Sequence, residues 1–272
     1  MIVWDDIREI LIKDTKIAFD TWKSMIYELF PDDIEYCYGK GSAIKPIESL
    51  IDYVPQISDI DIHIKEVDGR NMFSNYDEAI NVSKIFESRY IEAHPDYYHI
   101  PRTQIMFLHR LETKVKFVYP KLSDIKQIYG NIKFPSNTIS NEEVKKIDHN
   151  NILEQKAIVD NAPYRLIDRY GIDYWSFLRG LVFRVSPTPV RLLTQFVDEP
   201  LEIWKLNRTK IHKLLLSNNF TDIASSYFNY YKFGWNLFES DMKTSKSYIP
   251  VISSGLKVLE LTYNEAIKIT NG

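Results

Sequence analysis

Residues 34–64 read IEYCYGKGSAIKPIESLIDYVPQISDIDIHI, two short β-forming runs separated by a glycine turn and a spacer. Ile34 to Tyr38 is rich in β-formers and runs straight into Gly39-Lys40-Gly41-Ser42, which predicts a buried strand ending in a glycine turn. Ile57 to Ile64 alternates isoleucine with aspartate or histidine. Strand side chains point alternately to the two faces, so Asp59, Asp61 and His63 share one face and Ile60, Ile62 and Ile64 share the other. Two carboxylates about 7 Å apart on one strand repel each other unless a cation lies between them. Such a pair makes a seat for a hard, oxygen-seeking ion such as Mg²⁺, although an exposed edge strand shows the same alternation. A glycine turn opening onto a helix presents backbone N–H groups to a phosphate, with the Ser42 hydroxyl beside them. Lys40 and Lys45 flank that turn and are within reach of a phosphate, or are simply solvated. His63 either touches a substrate or closes the strand end.

Upstream, Trp4, Ile7, Ile10, Leu11, Ile17, Ala18, Trp22, Met25, Ile26 and Leu29 recur at three- and four-residue steps, the mark of an amphipathic helix ended by Pro31. Downstream, Asp77 to Tyr90 returns to helical spacing. Thr103 to Leu108 and Lys114 to Tyr119 read as two strands joined by a polar turn around Glu112. The character changes after Pro120. The loop from Gly130 to Ser140 predicts a boundary between a mixed α/β domain, residues 1–135, and an all-helical domain, residues 136–272. Ser140 and Glu143 form a capping box that announces the first helix of the second part. The later helices are punctuated at Pro187 to Pro189, at Pro200, at Ser217 to Thr221 and around Pro250.

A hydrophobic strand, Gly41-Ser42, a spacer and Ser58-Asp59-Ile60-Asp61 within a second strand together resemble the DNA polymerase β-like nucleotidyltransferases, in particular the small bacterial and archaeal type. The resemblance covers residues 34–119. It implies an α+β fold, a nucleotidyltransferase-like mixed sheet with flanking helices, followed here by the helical C-terminal domain. It also implies that Gly41 and Ser42 hold a triphosphate while Asp59 and Asp61 bind two Mg²⁺ ions. The expected reaction moves a nucleoside monophosphate, AMP by family habit, from a nucleoside triphosphate to a hydroxyl of a small molecule, protein or RNA. Phosphoryl-type transfer is mostly positioning and charge stabilisation, which two metals supply together.

Three features depart from the family pattern. The spacer between Ser42 and Asp59 is 16 residues long, and no arginine follows the Gly-Ser. The third carboxylate, carried in the family by a later strand, has no clear counterpart either. In KVKFVYP the expected position is Lys116, whose ammonium beside Asp59 and Asp61 would replace a metal's charge and silence the domain. In the other register Glu112 supplies the third ligand.

The chain has 272 residues and 44% hydrophobic content, enough for a large core. Its 34 Lys and Arg against 37 Asp and Glu give a net charge of −3, so the whole-chain charge predicts no general attraction to nucleic acid or anionic membrane. Cys37 is the only cysteine, which excludes an internal disulfide or a cysteine-rich zinc site. No apolar run reaches the ~18 residues of a membrane span, and the N-terminus is too charged for a signal peptide. These features predict a soluble, cytoplasmic protein. Arg165, Arg169, Arg179, Arg184 and Arg191 are interleaved with Tyr164, Tyr170, Tyr174, Trp175 and Phe177, forming either a groove for RNA or a nucleotide or an ordinary helical core with solvated charges. The sequence therefore leaves three readings: an active transferase, a silent domain that binds nucleotide or a partner, and an RNA-binding protein.

Overall fold

The computed structural model describes residues 4–114, 117–135, 139–168 and 173–271. The chain divides into two compact units, Met1–Ile47 with Ser58–Asn137, and Glu48–Ile57 with Thr138–Gly272.

The first unit is α+β. Helix α1 (Trp4–Leu29) leads into strand β1 (Ile34–Lys40), which a single 3-10 turn at Ser42–Ile44 follows. Strand β2 (Ile60–Glu66), helix α2 (Tyr76–Ala93), strand β3 (Thr103–Phe107), helix α3 (Leu108–Glu112) and strand β4 (Lys126–Gly130) complete it. The sheet runs β3-β2-β1-β4 and is mixed: β1 is antiparallel to β2 and to β4, while β2 and β3 are parallel.

One face of this sheet is apolar because the isoleucines of β2 all point to it. Ile60, Ile62 and Ile64 are fully buried with Phe19, Trp22, Met25 and Ile26 of α1 and Val82, Phe86 and Tyr90 of α2. Trp22 stacks on Phe86 with centroids 5.0 Å apart, and its Nε1 donates to Thr103 Oγ1 at 2.9 Å. Each of these buried side chains contributes roughly 1.5–3 kcal/mol. Asp14 ties the same helix to the end of α2, accepting from His94 Nε2 at 2.9 Å and from His99 Nδ1 at 2.8 Å.

The expected hairpin around Glu112 does not form. Leu108 through Glu112 is helical because Leu108 and Leu111 lie three residues apart and both pack on Tyr36 and Tyr38. Phe117 to Pro120 carry no strand, and Val115 and Lys116 lie outside the described residues. The fourth strand is instead Lys126–Gly130, whose last residue opens the stretch that the sequence reads as a loop. Gly130, at φ 67°, fits there because a Cβ would collide with the carbonyl oxygen of Glu35.

The second unit holds α4 (Asn141–Leu153), α5 (Gln155–Asp168), α6 (Asp173–Val185) and α7 (Thr188–Thr194). It continues with α8 (Pro200–Trp204), α9 (Arg208–Ser217), α10 (Thr221–Glu239) and α11 (Ser245–Asn271). Ser140 and Glu143 make the capping box at the start of α4. Pro250 lies inside α11 instead of interrupting it; the carbonyl it leaves without an intrahelical partner is that of Lys246, an exposed residue whose backbone water can satisfy.

Residues 48–57 are gripped by this helical unit. Trp235 Nε1 donates to Leu50 O at 2.7 Å, and Arg208 Nη1 donates to the carbonyls of Ile51 and Asp52, each at 3.1 Å. Asp52 returns the contact: its Oδ1 accepts from Thr209 N at 2.8 Å and its Oδ2 from Thr209 Oγ1 at 2.7 Å. This segment makes up ten of the residues that lengthen the spacer between Ser42 and Asp59. No described helix is long and apolar enough to cross a membrane.

Candidate functional site

Strand register brings the glycine turn beside Asp61. Lys40, the last residue of β1, is the Cα partner of Asp61 in β2, so Gly41 turns away directly beside the Asp61 carboxylate. Gly41 has φ 84° and ψ −159°, a region open almost only to glycine, and a Cβ there would overlap Asp61 Oδ2. The turn after it is one 3-10 turn and not a helix, so it offers bare backbone without a helix dipole. No side-chain hydrogen bond caps the start of the turn at Gly41, and Lys45 closes it with its N–H donating to Ser42 O at 3.2 Å.

The polar face of the sheet carries Lys40 and Tyr38 of β1, Asp61 and His63 of β2, and Gln104 and Met106 of β3. Leu108, Phe117, Tyr119 and Phe134 cover its far half, forming a core with Tyr36 and Tyr38. Lys40, Asp61 and Gln104 stay half-buried at the near end.

Asp59 lies just before β2, 8% exposed, and accepts from Arg102 Nη2 at 3.0 Å. The backbone fixes this pairing, because Ile60 N donates to Arg102 O at 2.8 Å where the parallel ladder begins. Two residues on, Asp61 pairs with Gln104. Parallel partners point to the same face, so the side chain that β3 sets next to Asp61 is an amide. Gln104 Nε2 donates to Met106 Sδ at 3.5 Å, while its Oε1 is buried with no hydrogen-bond partner.

Burial lowers the pKa of the Lys40 ammonium, with Asp61 opposing the shift. His63 is pushed down to about 2, chiefly by burial and then by the Lys40 charge, so its ring is neutral. Tyr38 is pushed well up by burial and stays a phenol.

Glu112 sits elsewhere. It accepts from Lys65 Nζ at 3.4 Å and from the Tyr119 hydroxyl, four residues along β2 from Asp61. Lys116, the alternative third position, lies outside the described residues. Among the described residues no three His, Cys, Asp or Glu side chains gather as metal ligands do. Sequence reading did not single out Arg102 and Gln104. The polar Arg102-Thr103-Gln104 opening of a strand was the available signal, but the hairpin reading of the neighbouring segment pointed away from it.

In the helical unit the arginine and aromatic segment is split between core and surface. Tyr174 and Phe177 are buried. Arg191 faces Asp148 at 3.6 Å, and Arg179 lies over Trp175 and Phe183. Arg169 and Tyr170 lie outside the described residues.

No family model matches this chain, and no curated protein or solved structure matches it.

Proposed function

We propose that the first unit binds a nucleoside triphosphate with Mg²⁺ through Asp59, Asp61 and the Gly41–Ser42 turn. In this reading it transfers a nucleoside monophosphate to a hydroxyl acceptor, as polymerase β-like nucleotidyltransferases do. The supporting observation is the register that sets Gly41 against Asp61: bare backbone and a carboxylate side by side are what a metal-bound phosphate requires. The donor set is hard oxygen, from Asp59, Asp61 and the partnerless Oε1 of Gln104, and it fits Mg²⁺. Bound there, Mg²⁺ would polarise the phosphate and offset the charge of the departing pyrophosphate. Gly41 and Ser42 orient the phosphates, and Lys40 and Lys45 add positive charge along them.

A second reading, a domain that binds nucleotide without transferring it, is favoured by Gln104 and Arg102. An amide cannot accept the acceptor's proton, and Arg102 already answers the charge of Asp59. Titration calorimetry with four nucleoside triphosphates, with and without Mg²⁺, combined with transfer of a label from the α-phosphate, tests both. Mg²⁺-dependent binding lost in Asp59→Asn, with label transfer, supports the transferase. The same binding without transfer supports the silent domain, and no nucleotide binding by the folded protein removes both.

A further inference from the structure

His63 is 1% exposed, and its Nε2 is buried without a hydrogen-bond partner. Its neighbour on the same sheet face, Gln104, has an Oε1 in the same condition. A buried polar atom left unmet costs roughly 1–3 kcal/mol, and here two of them belong to residues that neighbour Asp61 in the sheet, His63 along β2 and Gln104 across on β3. Asp61 and Gln104 are Cα partners across β2 and β3, which places their backbones about 4.8 Å apart. His63 follows two residues along the same strand and pairs with Met106, the residue toward which the Gln104 amide is folded.

We propose that Asp61, His63 and Gln104 form one mixed nitrogen and oxygen donor set for a divalent first-row cation such as Mn²⁺. The inference rests on Asp61 serving a cation, as in the reading above, and adds the donors beside it and the class of metal. Histidines that bind metal through one nitrogen usually donate the other N–H to an oxygen, which fixes the ring. His63 Nδ1 lies 3.1 Å from Tyr38 Oη, and in the tautomer that donates there Nε2 carries the free lone pair. Imidazole suits first-row transition ions, whereas Mg²⁺ takes oxygen. Lys40 is the cation that faces this set from β1, and its charge opposes a metal.

The test is titration of the full chain with Mn²⁺ and with Mg²⁺, each with and without ATP. Pulsed electron paramagnetic resonance of the bound Mn²⁺ reports nitrogen coupling. Mn²⁺ should bind about tenfold more tightly than Mg²⁺ and show nitrogen coupling. The coupling should vanish in His63→Gln, persist with weaker binding in Gln104→Leu, and strengthen in affinity with Lys40→Met. If His63→Gln fails to fold, the wild-type coupling and the Gln104→Leu affinity decide. Asp61-dependent Mn²⁺ binding without nitrogen coupling overturns the proposal while leaving a cation site at Asp61. Absence of any divalent binding, with or without ATP, overturns both.

Discussion

Gly41 and Asp61 approach so closely that a Cβ on the glycine would fall on the aspartate's Oδ2. Gly69 also has a positive φ, 78°, but an added Cβ would meet nothing within 4 Å. The two glycines therefore separate backbone strain from displacement of the carboxylate. Gly69→Ala should cost about 1–2 kcal/mol, and Gly41→Ala should cost more, about 2–4 kcal/mol. Only Gly41→Ala should also lose nucleotide affinity. Chemical denaturation and calorimetry of the pair check this.

Arg102 holds the Asp59 carboxylate at 3.0 Å with both side chains largely buried. Arg102→Met removes a positive charge that competes with a metal for Asp59. The variant should fall in stability by about 1–3 kcal/mol yet bind divalent cations more tightly, as seen by titration at constant ionic strength. Unchanged metal affinity would place the cation away from Asp59.

Between about pH 2 and pH 6.5 the unfolded chain carries a proton on His63 that the folded chain does not. Stability from this group is therefore present above pH 6.5 and is lost as pH falls through the window. From pH 6.5 to pH 5 the wild type should lose about 2 kcal/mol more than His63→Gln. Urea unfolding of both proteins at the two pH values measures the difference.

Asp52 is buried and accepts from Glu48 N at 2.8 Å, Ser49 N at 2.9 Å and Thr209 Oγ1 at 2.7 Å through Oδ2, and from Thr209 N at 2.8 Å through Oδ1. Asp52→Ala leaves these donors without an acceptor and should destabilise the protein by about 3 kcal/mol or more. Alanine at exposed Asp32 should cost less than about 0.5 kcal/mol. Thermal unfolding of the two variants is sufficient to compare them.

Local chemistry made part of this structure legible. Period-2 alternation placed Asp61 and His63 opposite Ile60, Ile62 and Ile64, and the capping box at Ser140 marked α4. Long-range pairing was not legible. A short apolar run such as Thr103–Phe107 reads equally well as the first arm of a hairpin or as a parallel neighbour of β2. The choice depends on whether Leu108 and Leu111 find Tyr36 and Tyr38, a contact separated by some seventy residues of chain. With that choice hidden, Gln104 beside Asp61 was hidden too. The same limit concealed Arg208 and Trp235, whose partners are backbone carbonyls that carry no sequence signal.

Because Glu48–Ile57 is built into the helical unit, a cut of the chain near residue 135 would part this segment from the helices that hold it. A polypeptide ending near residue 135 would carry Ile51, Tyr53, Val54 and Ile57, all at most 1% exposed in the whole protein, without the other residues of their own unit. A polypeptide beginning near residue 139 would keep Arg208, Thr209 and Trp235 without the carbonyls of residues 50–52 and the Asp52 carboxylate that they bond. Supplied in trans, a ten-residue peptide of this segment would be the natural complement of the second fragment, and its capture would report the refolding of that half without touching the first.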